Sequence, residues 1–335
     1  MAVTIGEVAK AAGVSVSTVS RALNTPDLVN AVTRQRVKDA ADRLGYAPNP
    51  AARSLREGRT ESLGLLIPDI TNPFFPPIFK AMQERAKRQG YTLLVADSDE
   101  READELETIA AVSKKVDGLV LWASMLPEER LAELAARMPV VLVNRHVPGV
   151  VEVHVSLTDG IAQAAEHLKA YGHQQCVFVD GNGNRPDQSR SKSIREAFDA
   201  HGLGLIEIGP YEPRFETGVH AAPLVLAHGA TAVLAHNDLV AMGVLHQLAA
   251  LGASVPADVS VVGIDDTLLA SVSTPSLTTI RIAPDEVATK AIDLLIGLAH
   301  GRQPAQPVTE VGSRLIPRGT TGPASRATFA RRDDA

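Results

Sequence analysis

In the first 45 residues apolar positions recur at helical spacing, and three short helices are predicted. Thr4-Ile5-Gly6-Glu7 has capping-box spacing, in which the threonine hydroxyl accepts from the first turn and the glutamate answers the cap's own amide. Ile5, Val8, Ala9 and Ala12 share one face, and Gly13 ends the run where glycine turns left-handed at little cost. Ser15 caps a second helix with Val19, Ala22 and Leu23 inward and Val16, Ser17, Thr18, Ser20 and Arg21 largely outward. After the loop 24–30, Val37, Ala40, Ala41 and Leu44 stripe a third helix that Gly45 stops. Two helices on a tight glycine turn, the second showing small polar groups and an arginine, make a helix-turn-helix pattern; an ordinary helical hairpin shares it.

From residue 61 short apolar runs alternate with helical stretches. Strands are predicted at 63–67, 92–96, 118–122, 140–143, 177–179, 232–235 and 259–264, with helical patterns at 76–89, 159–171, 190–201, 238–251 and 285–300. Such alternation implies parallel sheets covered on both faces, and the length accommodates two. In open sheets of this kind ligands sit outside the carboxyl ends of strands, so residues just after each run are the candidates.

The net charge of −6 hides an asymmetry. Residues 1–60 hold nine basic and five acidic side chains, a balance of +4 that leaves −10 for the rest. A basic head on an acidic body points to two partners, a polyanion for the head and something else for the body. The single cysteine, Cys176, lies in the apolar run Cys176-Val177-Phe178-Val179 and reads as a buried strand thiol. With no signal-like segment at the start and no apolar run of about 18 residues, a cytoplasmic, nucleoid-associated protein without membrane contact is expected. No GxSxG, HExxH, CxxC or GxxxxGK[ST] occurs, GNGNRP at 181–186 fails GxGxxG at Pro186, and the ten histidines lack ligand spacing. A non-enzyme without cofactor or metal is expected.

The stretches TIGEVAKAAGVSVSTVSRALN and RVKDAADRLGYAPNPAARSLREGRT closely resemble the N-terminus of the lactose/galactose-repressor family of bacterial transcription regulators. The resemblance continues in LGLLIPDITNPFF, VDGLVLW, PVVLVNR, AAEHLKAYGH, TAVLAHNDLVAMGVL, VPADVSVVGIDD and TPSLTTIR, in the family's order, over some 310 residues. It implies an all-α helix-turn-helix head over 1–47, a hinge helix over 48–60, and a periplasmic-binding-protein-like α/β core of two Rossmann-like subdomains over 61–317. One subdomain would comprise about 61–155 with 283–314, the other about 156–282 with 315–322, leaving 323–335 as a disordered tail.

For the head, the resemblance makes Ser15 to Asn24 the recognition helix in the major groove. Val16 offers a methyl surface, Ser17 a short donor or acceptor, and Arg21 a fork for guanine, worth about 1–3 kcal/mol against the wrong base. Thr4, Thr18 and Ser20 suit phosphates, although each hydroxyl can equally cap or solvate its own helix. Leu55 matches the family's minor-groove leucine, Ala52 lies one turn earlier, and Asn49, Arg53 and Arg56 are within reach of backbone or base edges. Two heads on a two-fold axis demand a pseudo-palindromic operator, so double-stranded DNA and a second copy of the chain are expected partners; the tail lacks the leucine heptads of a tetramer.

For the body, the resemblance implies a sugar-like effector held by Asp69, Phe74, Phe75, Asn144, Arg190, Phe215, Asn237 and Asp265. Core packing also explains the two phenylalanines, solvation Arg190, and helix capping Asn237 or Asp238. Asp266 reads as structural. The chain departs from the family pattern at Ser156-Leu157, at Ile282, and at Pro213, where the lid aromatic is displaced to Phe215. The expected function is ligand-controlled repression; a regulator without ligand response and a cytosolic sugar-binding protein share these residues.

Overall fold

A computed structural model describes residues 3–24, 26–46, 59–181 and 189–325. The chain divides into two compact units, residues 1–60 and 61–335.

In the first unit, α1 (Ile5–Ala12) starts at the Thr4 cap, with Thr4 N donating to Glu7 Oε2 at 2.8 Å and Glu7 N to Thr4 Oγ1 at 3.4 Å. Gly13 closes it with φ 62°. Ser15 precedes α2 (Val16–Asn24) and accepts from Thr18 N at 3.2 Å. Asn30 caps α3 (Ala31–Leu44) by accepting from Thr33 N. Val8, Ala12, Val19, Val37 and Ala40 form the shared core. Leu44, expected in the stripe, is instead exposed, and Tyr46 packs against the core.

The second unit holds two sheets. In chain order it runs β1 (Ser62–Ile67), α4 (Phe75–Arg88), β2 (Thr92–Asp97), α5 (Glu102–Val112), β3 (Leu119–Trp122), α6 (Glu128–Ala135), β4 (Val140–Val143), β5 (Val151–Val155), α7 (Thr158–Ala170) and β6 (Gln175–Val179). It continues with α8 (Ser189–Ala200), β7 (Gly204–Ile208), α9 (Phe215–Ala227), β8 (Ala232–Ala235), α10 (Asp238–Ala250), β9 (Ser260–Asp265), α11 (Leu268–Val272), β10 (Thr278–Ile282), α12 (Pro284–Ala299), β11 (Val308–Val311) and β12 (Ser313–Ile316).

The first sheet has the order β11-β5-β4-β3-β1-β2 and is parallel throughout. The second, β12-β10-β9-β8-β6-β7, is parallel except for β12, which runs antiparallel to β10 and so departs from the all-parallel expectation. The seven predicted strands are present. β5, β7, β10, β11 and β12 were not predicted, because a charged residue interrupts the apolar run in each.

The chain passes between the sheets near Ser156, Ala283 and Gly312. The last crossing falls two residues before the expected boundary at 314, since Ser313 already pairs with Ile282. Gly160 lies at these crossings: a Cβ there would meet Ile280 Cγ2 at 2.4 Å, so only glycine lets α7 sit so close. At the far end Ala324 N donates to Tyr171 O at 2.8 Å, so the expected tail starts later than 323. Cys176 is fully buried, which pushes its thiol up to about 12. Among the described residues no helix is long and apolar enough to cross a membrane.

Candidate functional site

Each sheet reverses its winding beside its first strand, between β1 and β3 in one and between β6 and β8 in the other. Loops after the strands diverge at such a point and leave a crevice. A cleft of about 130 Å³ lies there, lined by residues from the strand ends of both sheets.

The first-sheet wall is aromatic. Phe74 and Phe75 follow β1, and Trp122, the chain's only tryptophan, ends β3. Their centroids lie 5.2, 5.6 and 5.7 Å apart at steep interplanar angles, the edge-to-face packing that ring quadrupoles favour. Leu157 and Ile282 add apolar surface. The loop after Trp122 is held from behind by the buried Glu105 of α5, whose carboxylate accepts from Ser124 Oγ and from Met125 N. Burial pushes the Glu105 carboxyl up. Asn144 takes φ 54°, a left-handed conformation that Asn tolerates, and its Oδ1 accepts from Val155 N at 2.8 Å. Arg145 beside it donates to Leu126 O and stands 3.8 Å from Glu128.

The second-sheet wall is polar. Arg190, in the first turn of α8, donates from Nη1 to His236 O at 2.6 Å. The His236 ring stands 3.5 Å from Asp180, which also accepts from Ser191 Oγ. Asn237 caps α10 by accepting from Val240 N at 2.9 Å, while its amide nitrogen reaches Pro213 O. Asp265 ends β9 with φ 118°, a strained conformation for a residue with a Cβ. Burial pushes its carboxyl well up against the opposing charge of Arg190, and Asp238 adds to the rise. Asp238 accepts from Thr267 N, Thr267 Oγ1 and Thr279 Oγ1, yet burial still lifts it to about 7. Asp266 turns away from the cleft to Arg318 and Arg281.

Of the residues singled out from sequence, Phe74, Phe75, Asn144, Arg190, Asn237 and Asp265 line this one cleft. Two do not. Asp69 folds back to accept from Thr71 N and Oγ1 at 2.8 and 2.6 Å, while Asn72 occupies the wall. Phe215 starts α9 and packs its ring on His246, 5.6 Å away, leaving Pro213 as the lining residue. Trp122, Arg145, His154 and His236 were missed, although each ends a strand run or lies within two residues of its end. Among the described residues no group of His, Cys, Asp and Glu is placed to hold a metal.

In the head, Val16 is 48% exposed, and Ser17 and Arg21 are exposed beside it. Ser15 Oγ lies 2.8 Å from both Ser17 Oγ and Thr18 Oγ1. Thr18 and Ser20 are half-buried, and the Thr4 hydroxyl serves the α1 cap. The side chain of Asn24 lies outside the described residues, as do Asn49, Ala52, Arg53, Leu55 and Arg56.

Comparison with known proteins bears on both units. Residues 4–49 match bacterial regulatory proteins of the lacI family, and residues 165–321 match a periplasmic binding protein-like domain. The HTH-type transcriptional regulator GalR of Escherichia coli K12 is 34% identical over 326 residues, 94% of each chain. The crystal structure of the lac repressor dimer bound to operator and the anti-inducer ONPF superposes with a TM-score of 0.82 at 27% identity, covering 96% of this chain and all of that one. A complex of the transcriptional regulator CelR with cellobiose gives 0.68 at 26% identity, over 95% and 99% of the two chains.

Proposed function

The chain belongs to the lacI family of bacterial regulatory proteins, and from that premise we propose that it is a repressor that binds a pseudo-palindromic operator as a homodimer and is switched by a small, sugar-like molecule. The observation that carries this reading is the union in one chain of a helix-turn-helix with an exposed Val16-Ser17-Arg21 face and a two-walled cleft. Val16, Ser17 and Arg21 read bases, whereas Thr4, Thr18, Ser20 and Asn24 hold phosphates and fix the register. Asn49, Ala52, Arg53, Leu55 and Arg56 supply the hinge contacts to DNA, with Leu55 as the minor-groove wedge. Asn144, Arg190, Asn237 and Asp265 take the effector's polar edge, and Phe74, Phe75 and Trp122 its carbon face.

The second copy fits two exposed apolar surfaces, Leu94 and Val95 on the edge strand β2, and Leu268, Leu269 and Val272 on α11. The lac repressor relative is a dimer on its operator, and the CelR relative carries a sugar. The reading gives the cleft binding and no reaction, and places the protein on the nucleoid in the cytoplasm. A ligand that prefers one degree of cleft closure shifts the hinge equilibrium, a coupling of typically about 1–3 kcal/mol.

Selection of bound duplexes from a random pool, followed by titration of the winner with sugars, tests the proposal. A palindrome whose binding is lost in Leu55→Ala and changed by a ligand is the expected outcome. No enriched sequence under any ligand would sink it.

A further inference from the structure

Recognition of a neutral sugar requires acceptors as well as donors, because every hydroxyl donates one hydrogen. Among the described residues the cleft offers amide and hydroxyl acceptors but a single carboxyl. Asn144 Oδ1 already accepts from Val155 N, and Asn237 Oδ1 from Val240 N. The Asp69 carboxylate is spent on Thr71, outside the lining. Among the described residues Asp265 is the one carboxyl in the wall, and its burial favours the form that keeps its proton.

Basic side chains are more numerous. Arg145, His154, Arg190 and His236 all line the cleft. The acids nearest three of these bases, Glu128 at 3.8 Å from Arg145, Glu152 at 3.6 Å from His154 and Asp180 at 3.5 Å from His236, are absent from the lining. The fourth base, Arg190, faces the charge of Asp265 within the lining, so Arg145 is the guanidinium whose counter-charge stands outside it.

We infer that the ligand carries an anionic oxygen group, a carboxylate or a phosphate ester, seated between Arg190 of the second-sheet wall and Arg145 of the first, with its carbon skeleton on Phe74, Phe75 and Trp122. This rests on the reading of the cleft as an effector site and names the effector's chemistry. Guanidinium groups form short, charge-assisted bonds to such oxygens. An anion held from both walls also favours closure, since it offsets the repulsion of two like charges brought together. A neutral ligand of the same shape lacks that effect.

The test uses the full chain and matched ligands that differ only in charge: D-galactose, D-galacturonate and D-galactose 6-phosphate, and the glucose counterparts. Binding is read from Trp122 fluorescence and from the melting temperature, separately from any DNA assay. One anionic member is expected to bind at least about tenfold tighter than its neutral parent, a preference that added salt weakens and Arg145→Met abolishes. The uronate and phosphate arms identify the group. A neutral parent that binds as tightly overturns the inference and leaves the effector reading standing. No ligand shifting either signal overturns both. A preference that survives Arg145→Met overturns the proposed seat, and the wild-type ligand comparison decides the charge question even where that variant fails to fold.

Discussion

The two halves of the body share a winding scheme and a cleft, and they furnish it in opposite ways. The first sheet contributes three interlocked rings and keeps a buried acid, Glu105, behind the wall, where it fixes a loop. The second contributes Arg190, His236, Asn237 and Asp265, with two further buried acids close behind, Asp180 beside the His236 ring and Asp238 bonded to Thr267 and Thr279. One wall therefore derives its shape from packing, the other from a hydrogen-bond network. Damage to the first should appear in stability and damage to the second in pH dependence and ligand choice.

The largest expected effect falls in the second half, away from its cleft wall, where two helix backbones meet. Gly218 of α9 and Gly243 of α10 let the helix backbones touch: a Cβ on Gly243 would lie 2.0 Å from Phe215 O. Gly243→Val must push the helices apart, and a loss of about 4 kcal/mol or more is expected in a denaturant titration. A smaller loss would show that α9 moves freely and that the comparison drawn above understates the second half's plasticity.

Trp122→Ala removes the ring both phenylalanines lean on, and a cost of about 3–5 kcal/mol is expected, followed by circular dichroism since the fluorophore is gone. A ligand affinity that falls with no loss of stability would break the assignment of packing to the first wall.

The pH dependence is next. Burial raises the proton affinity of Asp238, to about 7, and of Asp265, so the folded chain keeps protons that the unfolded chain releases above about pH 4. Their contribution is full below that point and is lost as pH rises towards about 7 and beyond. His167 and His173, pushed down by burial, act the other way: their contribution is present above about pH 6.5 and lost on acidification. Asp265→Asn should gain in melting temperature relative to the wild type as pH is raised from about 5 to about 8. A constant offset would remove Asp265 from the set of titrating groups.

The smallest effect is expected at Arg85, which grips Asp293 with bonds of 2.7 and 2.6 Å between α4 and α12. The pair is partly open to solvent, and Asp293→Ala should cost under about 1 kcal/mol in the same denaturant titration.

Residues at the ends of continuous apolar strands were legible in the sequence because two signals agree there, the run and its abrupt polar stop. Asn144, Asn237 and Asp265 all stand at such stops. Trp122 is itself the apolar last residue of its run, where an aromatic reads as core. His154 and Glu152 hid inside β5, whose Val-Glu-Val-His-Val alternation imitates a half-exposed strand although Glu152 is buried against His146 and His154. Hydrogen bonds from the two histidines outweigh that burial and hold the Glu152 carboxyl below its ordinary range. Phe215 was misplaced because a resemblance conveys position along the chain and not where a helix begins; starting at Phe215, α9 carries the ring out to His246. Asp69 was misplaced because an Asp two residues before a Thr satisfies itself locally before it can serve a ligand.

The three passages of chain between the sheets, near Ser156, Ala283 and Gly312, act as a flexure of parallel leaves. Such a joint bends readily about one axis and resists twist and shear, because rotation about any other axis would have to stretch one leaf against the rest. The body therefore has a single soft coordinate, its opening angle. On the proposed reading, a ligand in the cleft acts through that one angle.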